Sequence, residues 1–410
     1  MGEINIQDVT AFARNGNFDR AKMGELLGMQ NYDMDLENVK DVTQIFPQLV
    51  QNLQLFDNDI ICIPRNTLNF LQCLAYLKIV NMEYFGSEEI IEFIVNHIDF
   101  HDPLIGADFV RLLNVLHDAN VPIVETAIKY QVFDHIFELF KSLGDGEDPF
   151  FENHIDYILD GILVFIEIVI EQIDENTDTE ILWNFGISLI DHPIKSSTTI
   201  GSGFAILKML SKSNHRGEVN EEFLDIISSF SNDGRTILEQ LFDFLVSYGP
   251  DIIIALNETD FFPSLIENLS DNLESAPSIL YFFGDVEYRV DEETFNLICQ
   301  YITQKFSFRL RSASIFYIKY YIQGFNQQQM GSLVNTNILS DTIDIMSCQN
   351  TPVVADCVSL LFILVQTWSK SGIKIADICN VDELAETLTS IQSEAPQETD
   401  EKIQGILDLL

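Results

Sequence analysis

Residues 351–364 read TPVVADCVSLLFIL: a threonine–proline turn that runs directly into apolar text with Val354, Cys357, Leu361 and Leu364 spaced by three and four. That spacing puts the apolar side chains on one face of a helix, and proline suits a helix's first turn because the missing N–H has no partner there. The same arrangement recurs along the chain. Turn signals stand at Asp102-Pro103, Asp148-Pro149, His192-Pro193, Asn232-Asp233-Gly234, Ala276-Pro277, the basic junction around Arg309, Thr351-Pro352 and Ala395-Pro396. Most are separated by roughly 44 residues, and self-similarity at that period is the mark of a helical repeat array. Another amphipathic segment, Phe109, Leu112, Leu113 and Leu116, repeats the three–four pattern, and no Asn–Gly or Asp–Gly turn is flanked by alternating strands. The expectation is an all-α chain.

Within most units a short polar break precedes a second amphipathic helix. The breaks fall at Tyr130-Gln131, Thr259-Asp260, Thr336-Asn337 and Asn380, each followed by an apolar-periodic run. This turn, helix, break, helix order resembles the armadillo and HEAT-like repeats. The resemblance covers most of residues 41–410. It implies a right-handed α–α superhelix, an armadillo-like solenoid of about eight repeats. Residues 1–40, more polar and richer in Gly and Asn, read as an N-terminal helical cap. The glycine usual at the armadillo break is missing at Gln131, Asp260, Asn337 and Asn380, where Asn or Asp is expected to take the left-handed conformation instead. Nuclear-import adaptors of this class carry a ladder of Trp with Asn four residues on. Here only Trp183 and Trp368 occur, followed four residues later by Ile187 and Gly372.

Composition constrains the partner. The 410 residues hold 22 Lys and Arg against 64 Asp and Glu, a formal net charge of −42. Such a field repels nucleic acid and anionic membranes and attracts basic proteins or peptides, although acidity also serves solubility alone. Six cysteines without CxxC spacing read as reduced, buried thiols. No leader pattern opens the sequence, so a cytoplasmic setting is expected, with nuclear residence open. The longest apolar run, 161–170, carries Glu167 and reads as a core helix, so no membrane insertion is expected.

The sharpest local signal lies on a helix expected over about 153–173. Asp156, Asp160, Glu167 and Glu171 sit at offsets that place them within about 60° of one another, on a helix otherwise built of Ile, Leu, Val, Phe and Tyr. They are the candidate partner-binding residues, with a solvated face neutralised by a neighbouring repeat as the alternative. Residues 239–287 hold further acids, more scattered, and no Lys or Arg. Lys305, Arg309, Arg311 and Lys319, interleaved with Phe306, Phe308, Phe316, Tyr317, Tyr320 and Tyr321, could contact nucleic acid; the reading preferred is core aromatics and cations that neutralise nearby carboxylates. His97 and His101 have metal-ligand spacing, but Ile98 stands where a hydrolytic zinc motif needs Glu. Gly201-Ser202-Gly203 reads as a turn, and 211–222 as an exposed loop or bend. No nucleophile elbow, phosphate loop or dinucleotide fingerprint is present. The expected function is a noncatalytic protein–protein scaffold without cofactor or metal, gripping a basic or mixed extended segment or a helix. The alternatives are a karyopherin-like transport adaptor and a regulatory subunit of a kinase or phosphatase.

Overall fold

The structure is a computed structural model that describes residues 68, 71–72, 87–97, 103–118, 120–132, 134–136, 149–173, 179–191, 196–348, 350–393 and 395–410. The expected cap over residues 1–40 lies outside the described residues. So do His101 and the side chain of His97. Among the described residues there is no strand, and the fold is all-α.

The chain divides into two compact units, Met1–Glu218 and Val219–Leu410. The boundary falls inside the polar stretch expected to be a loop. That stretch is exposed only in part: Ser211 ends a helix and is buried, as is His215.

In the first unit the described helices are α1 (Glu88–His97), α2 (Pro103–Asp118), α3 (Val124–Lys129), α4 (Pro149–Gln172), α5 (Glu180–Ile190) and α6 (Ser197–Lys212). Helix α4 packs on α2 and on α6, and α5 packs on α6. The apolar stripe of α2, Phe109, Leu112, Leu113 and Leu116, is fully buried. Gly201-Ser202-Gly203 is not a turn; it lies inside α6 and is buried. The reason is close approach. A Cβ on Gly203 would come within 2.7 Å of the Gly186 carbonyl oxygen of α5, so the missing side chains let two helix backbones nearly touch.

The second unit runs α7 (Glu221–Ser229), α8 (Arg235–Tyr248), α9 (Pro250–Leu256), α10 (Phe261–Asp271), α11 (Ala276–Asp285), α12 (Glu292–Tyr301), α13 (Phe308–Tyr321), α14 (Gln327–Ser332), α15 (Ile338–Met346), α16 (Thr351–Lys370), α17 (Val381–Gln392) and α18 (Gln397–Leu407). Helices α8, α11, α13, α16 and α18 form a row in which each packs on the next. Their first residues fall at or next to the turn signals read from sequence. Helices α10, α12, α15 and α17 pack against that row as a second layer. Helix α16 is long and apolar enough to cross a bilayer by composition alone. Here its stripe of Val354, Cys357, Leu361, Leu364 and Trp368 is core.

Helix starts are set by local chemistry. Asn220, Asp291, Ser307 and Asn350 each accept a hydrogen bond from an N–H of the first turn that they precede, and Pro250, Pro277 and Pro352 occupy first turns. Two breaks are built alike. The Thr259 hydroxyl donates to the Leu256 carbonyl at 2.8 Å and accepts from Phe261 N–H at 3.2 Å; the Thr336 hydroxyl donates to Leu333 at 2.6 Å and accepts from Ile338 N–H at 3.4 Å. The expected left-handed Asn or Asp is not found there. Asp260, Asn337 and Asn380 have φ of −79°, −85° and −72°, whereas Gln131 has φ +54°. Thr259 and Thr336 supply the turn hydrogen bonds, and Asn380 caps α17 with its side chain, so no left-handed residue is needed.

Side-chain hydrogen bonds between helices report how neighbours stack. Asn114 donates to the Gly161 carbonyl, 47 residues on; Asn268 to Ser231, 37 back; Trp368 Nε1 to Met330, 38 back; Gln327 to Ser371, 44 on. Each joins elements about one repeat apart, as expected where every module touches its neighbours. The packing of neighbouring helices fits a helical solenoid.

Candidate functional site

Over its described side chains, 156–172, helix α4 is buried on nearly every side. Ile158, Leu159, Ile162, Phe165, Ile166 and Val169 lie in the core, and the remaining strip holds the four carboxylates read from sequence. Asp156, Asp160, Glu167 and Glu171 are all exposed, with the apolar Val164 exposed among them. The ridge is therefore a continuous solvent face of one helix, about four turns long.

At one of the four acids a neighbouring helix supplies a cation, which the sequence reading allowed for without naming the residue. Arg111 of α2 lies across α4, its guanidinium 3.7 Å from the centre of the Tyr157 ring. It donates to the Tyr157 carbonyl at 2.8 Å and to the Asp160 carboxylate at 3.3 Å. Gly161 makes room, since a Cβ there would meet the Arg111 stem at 3.0 Å. The Asp160 side chain is still 76% exposed and that of Arg111 only 27%, so the carboxylate faces water while the cation packs beneath it. Beside this bond the Tyr157 hydroxyl donates to the buried Asp108; about three turns beyond Asp160 on α4, Gln172 approaches His117 at 3.2 Å. The signal that could have exposed Arg111 is opposite charge one repeat apart.

Three of the four cations of the basic island in the second unit are paired in the same way, whereas Lys305 and Phe308 are exposed. Arg309 bonds Glu239, which also takes Arg235 and the Ser278 hydroxyl; Arg311 bonds Asp344; Lys319 bonds Asp356 at 2.5 Å. Tyr317 is buried, and its hydroxyl donates to the Tyr288 carbonyl at 2.9 Å while accepting from Val290 N–H at 3.2 Å. Tyr320 and Tyr321 bond the Glu287 and Val290 carbonyls, so the tyrosines of α13 clamp the 286–290 loop. These cations serve the protein's own carboxylates. That pattern leaves a surplus of exposed acid.

Trp183 and Trp368 are both core residues. Among the four cysteines the structure describes, Cys357 is fully buried and its thiol is pushed up by burial; Cys299 is pushed up to about 12 for the same reason, and Cys348 is exposed. The described residues contain no cluster of three His, Cys, Asp or Glu side chains able to hold a metal.

No family model matches the chain, and no curated protein matches it. Solved structures do. The crystal structure of an engineered protein from the Northeast Structural Genomics Consortium aligns over 100% of this chain and 99% of its own, with a TM-score of 0.53 and 12% identity. At that identity the likeness speaks to the fold. Together with the helix packing it shows an all-α fold and fits a helical-repeat protein.

Proposed function

We propose that the chain is a noncatalytic interaction scaffold whose repeats form an armadillo-like right-handed superhelix of about eight modules of roughly 44 residues. Its α4 ridge of Asp156, Asp160, Glu167 and Glu171 receives a basic or mixed segment of a protein partner, in the cytoplasm or the nucleus. One observation carries the reading. Among the described side chains of α4, the exposed strip holds four carboxylates, and the adjacent cation, Arg111, is spent beneath Asp160 rather than spread over the ridge. Charge of one sign on a preformed helix face raises the association rate of an oppositely charged segment and loses that advantage in salt.

Binding of a fluorescent nona-arginine peptide to the full chain tests this. Glu167→Lys with Glu171→Lys, neither of them bonded to Arg111, should weaken binding about tenfold at low salt. Unchanged affinity in that double variant removes the ridge from the interaction.

A further inference from the structure

The row of the second unit holds another place suited to a cation, on the far end of α11. Asp285 is that helix's last residue, and it is exposed. An acid there runs against the helix dipole, whose carbonyl end favours positive charge. The charged group acting on it is the Asp243 carboxylate of α8, so burial and like charge together hold the Asp285 carboxyl above its usual range. Several cations of this row pair with other carboxylates: Arg235 and Arg309 with Glu239, Arg311 with Asp344, Lys402 with Glu398, and Lys319 with Asp356, Lys319 lying 4.9 Å from the centre of the Phe316 ring.

An aromatic ring stands beside the acid. Tyr281 precedes Asp285 by four residues, which puts both on one face of α11, and it is half-buried. Phe316 of α13 fixes it at 5.2 Å between ring centres. Phe316 is itself seated on Gly284, where a Cβ would collide with the ring. The ring is thus held in place by α13 and is partly exposed. A ring face, a carboxylate and a helix C-terminus around one spot are complementary to a guanidinium or ammonium group with an apolar stem.

We infer that Tyr281 and Asp285 form a docking point for an arginine or lysine side chain of a basic partner segment, the cation lying over the Tyr281 ring and donating to the Asp285 carboxylate. This rests on the reading that the chain grips a basic segment, and it adds a second anchor with its own residues. An acid placed where it destabilises the free protein is what a binding site leaves behind.

The test pairs affinity with stability, again with the full chain and nona-arginine. Asp285→Asn should weaken binding about three- to fivefold while leaving the thermal midpoint unchanged or raised, and Tyr281→Leu should weaken binding about two- to threefold. Glu386→Gln, at an exposed acid of the second-layer helix α17, should bind as the parent chain does. Parental affinity in Asp285→Asn, or an equal loss in Glu386→Gln, overturns the inference. The Glu167 and Glu171 reversal reports on the α4 ridge separately, so either anchor can fail while the other stands; a parent chain that does not bind the peptide overturns both.

Discussion

Arg111 and Asp160 meet across α2 and α4 with the guanidinium lying on the Tyr157 ring, so one cation both packs and pairs. The two halves of that contact differ in worth. An ion pair to a carboxylate as exposed as Asp160 contributes about 0–1 kcal/mol, because water screens it. The arginine stem and its ring contact are shielded, and removing them takes away packing as well as charge. Asp160→Asn should therefore shift stability by less than about 1 kcal/mol, and Arg111→Ala should destabilise by about 1–2 kcal/mol. Urea unfolding of both variants checks the order. Equal losses would mean that the ion pair, not the stacking, holds the arginine.

Gly203 offers a sharper sign. In an open helix, Gly to Ala stabilises by about 1 kcal/mol. Here the new Cβ meets Ile190 and the Gly186 carbonyl, and a backbone atom cannot swing aside. Overpacking of about 1–3 kcal/mol should win, so Gly203→Ala should lower the thermal midpoint. Gly331→Ala, with nothing within 4 Å of its Cβ, is the control expected to raise it or leave it unchanged.

These two sites show what a sequence can and cannot reveal. The helix of α16 was legible because Val354, Cys357, Leu361 and Leu364 lie close enough in sequence to share a face. The exposed ridge was legible for the same reason, since the acids are the only polar stripe on an apolar helix. Gly203 was misread as a turn because its reason for being glycine, the Gly186 carbonyl of another helix, is outside any local window. Arg111 was missed because Asp160 is 49 residues away, and nothing local marks two charges as partners. Turn chemistry at Asp260 and Asn337 was misassigned since the preceding threonine, not the Asx residue, carries the hydrogen bonds.

Tyr317 should prove a stabilising residue out of proportion to one hydroxyl. Its oxygen donates to Tyr288 and accepts from Val290 N–H, both around a loop in which Glu287 holds φ +57°. Tyr317→Phe leaves the buried Val290 N–H without that partner, a loss of about 1–3 kcal/mol. Tyr320→Phe, whose bond to Glu287 is exposed, should lose less than about 1 kcal/mol. Chemical denaturation distinguishes them, and amide exchange at Val290 should quicken only in the first.

Acidity should shape stability with a definite sign. Asp285 is held up by burial and then by Asp243; Asp341 is held up by burial and by Asp344, against the opposing pull of Arg311. A carboxyl raised in the fold binds its proton more tightly there than in the unfolded chain. Its contribution is fully present below the ordinary value of 3.8 and is lost as pH rises through the raised value. Asp291 acts oppositely, because the Thr294 N–H lowers its carboxyl, and what it adds is lost as pH falls. With a net charge of −42, self-repulsion reinforces the first sense. The thermal midpoint should therefore fall as pH rises above 3.8 and through the raised range of these carboxyls, and the Asp285→Asn, Asp341→Asn double variant should show a shallower decline. High salt should flatten the decline of both chains, since it screens the general repulsion, while the residual slope that separates them stays with the two raised carboxyls. A double variant as steep as the parent would assign the whole effect to net charge.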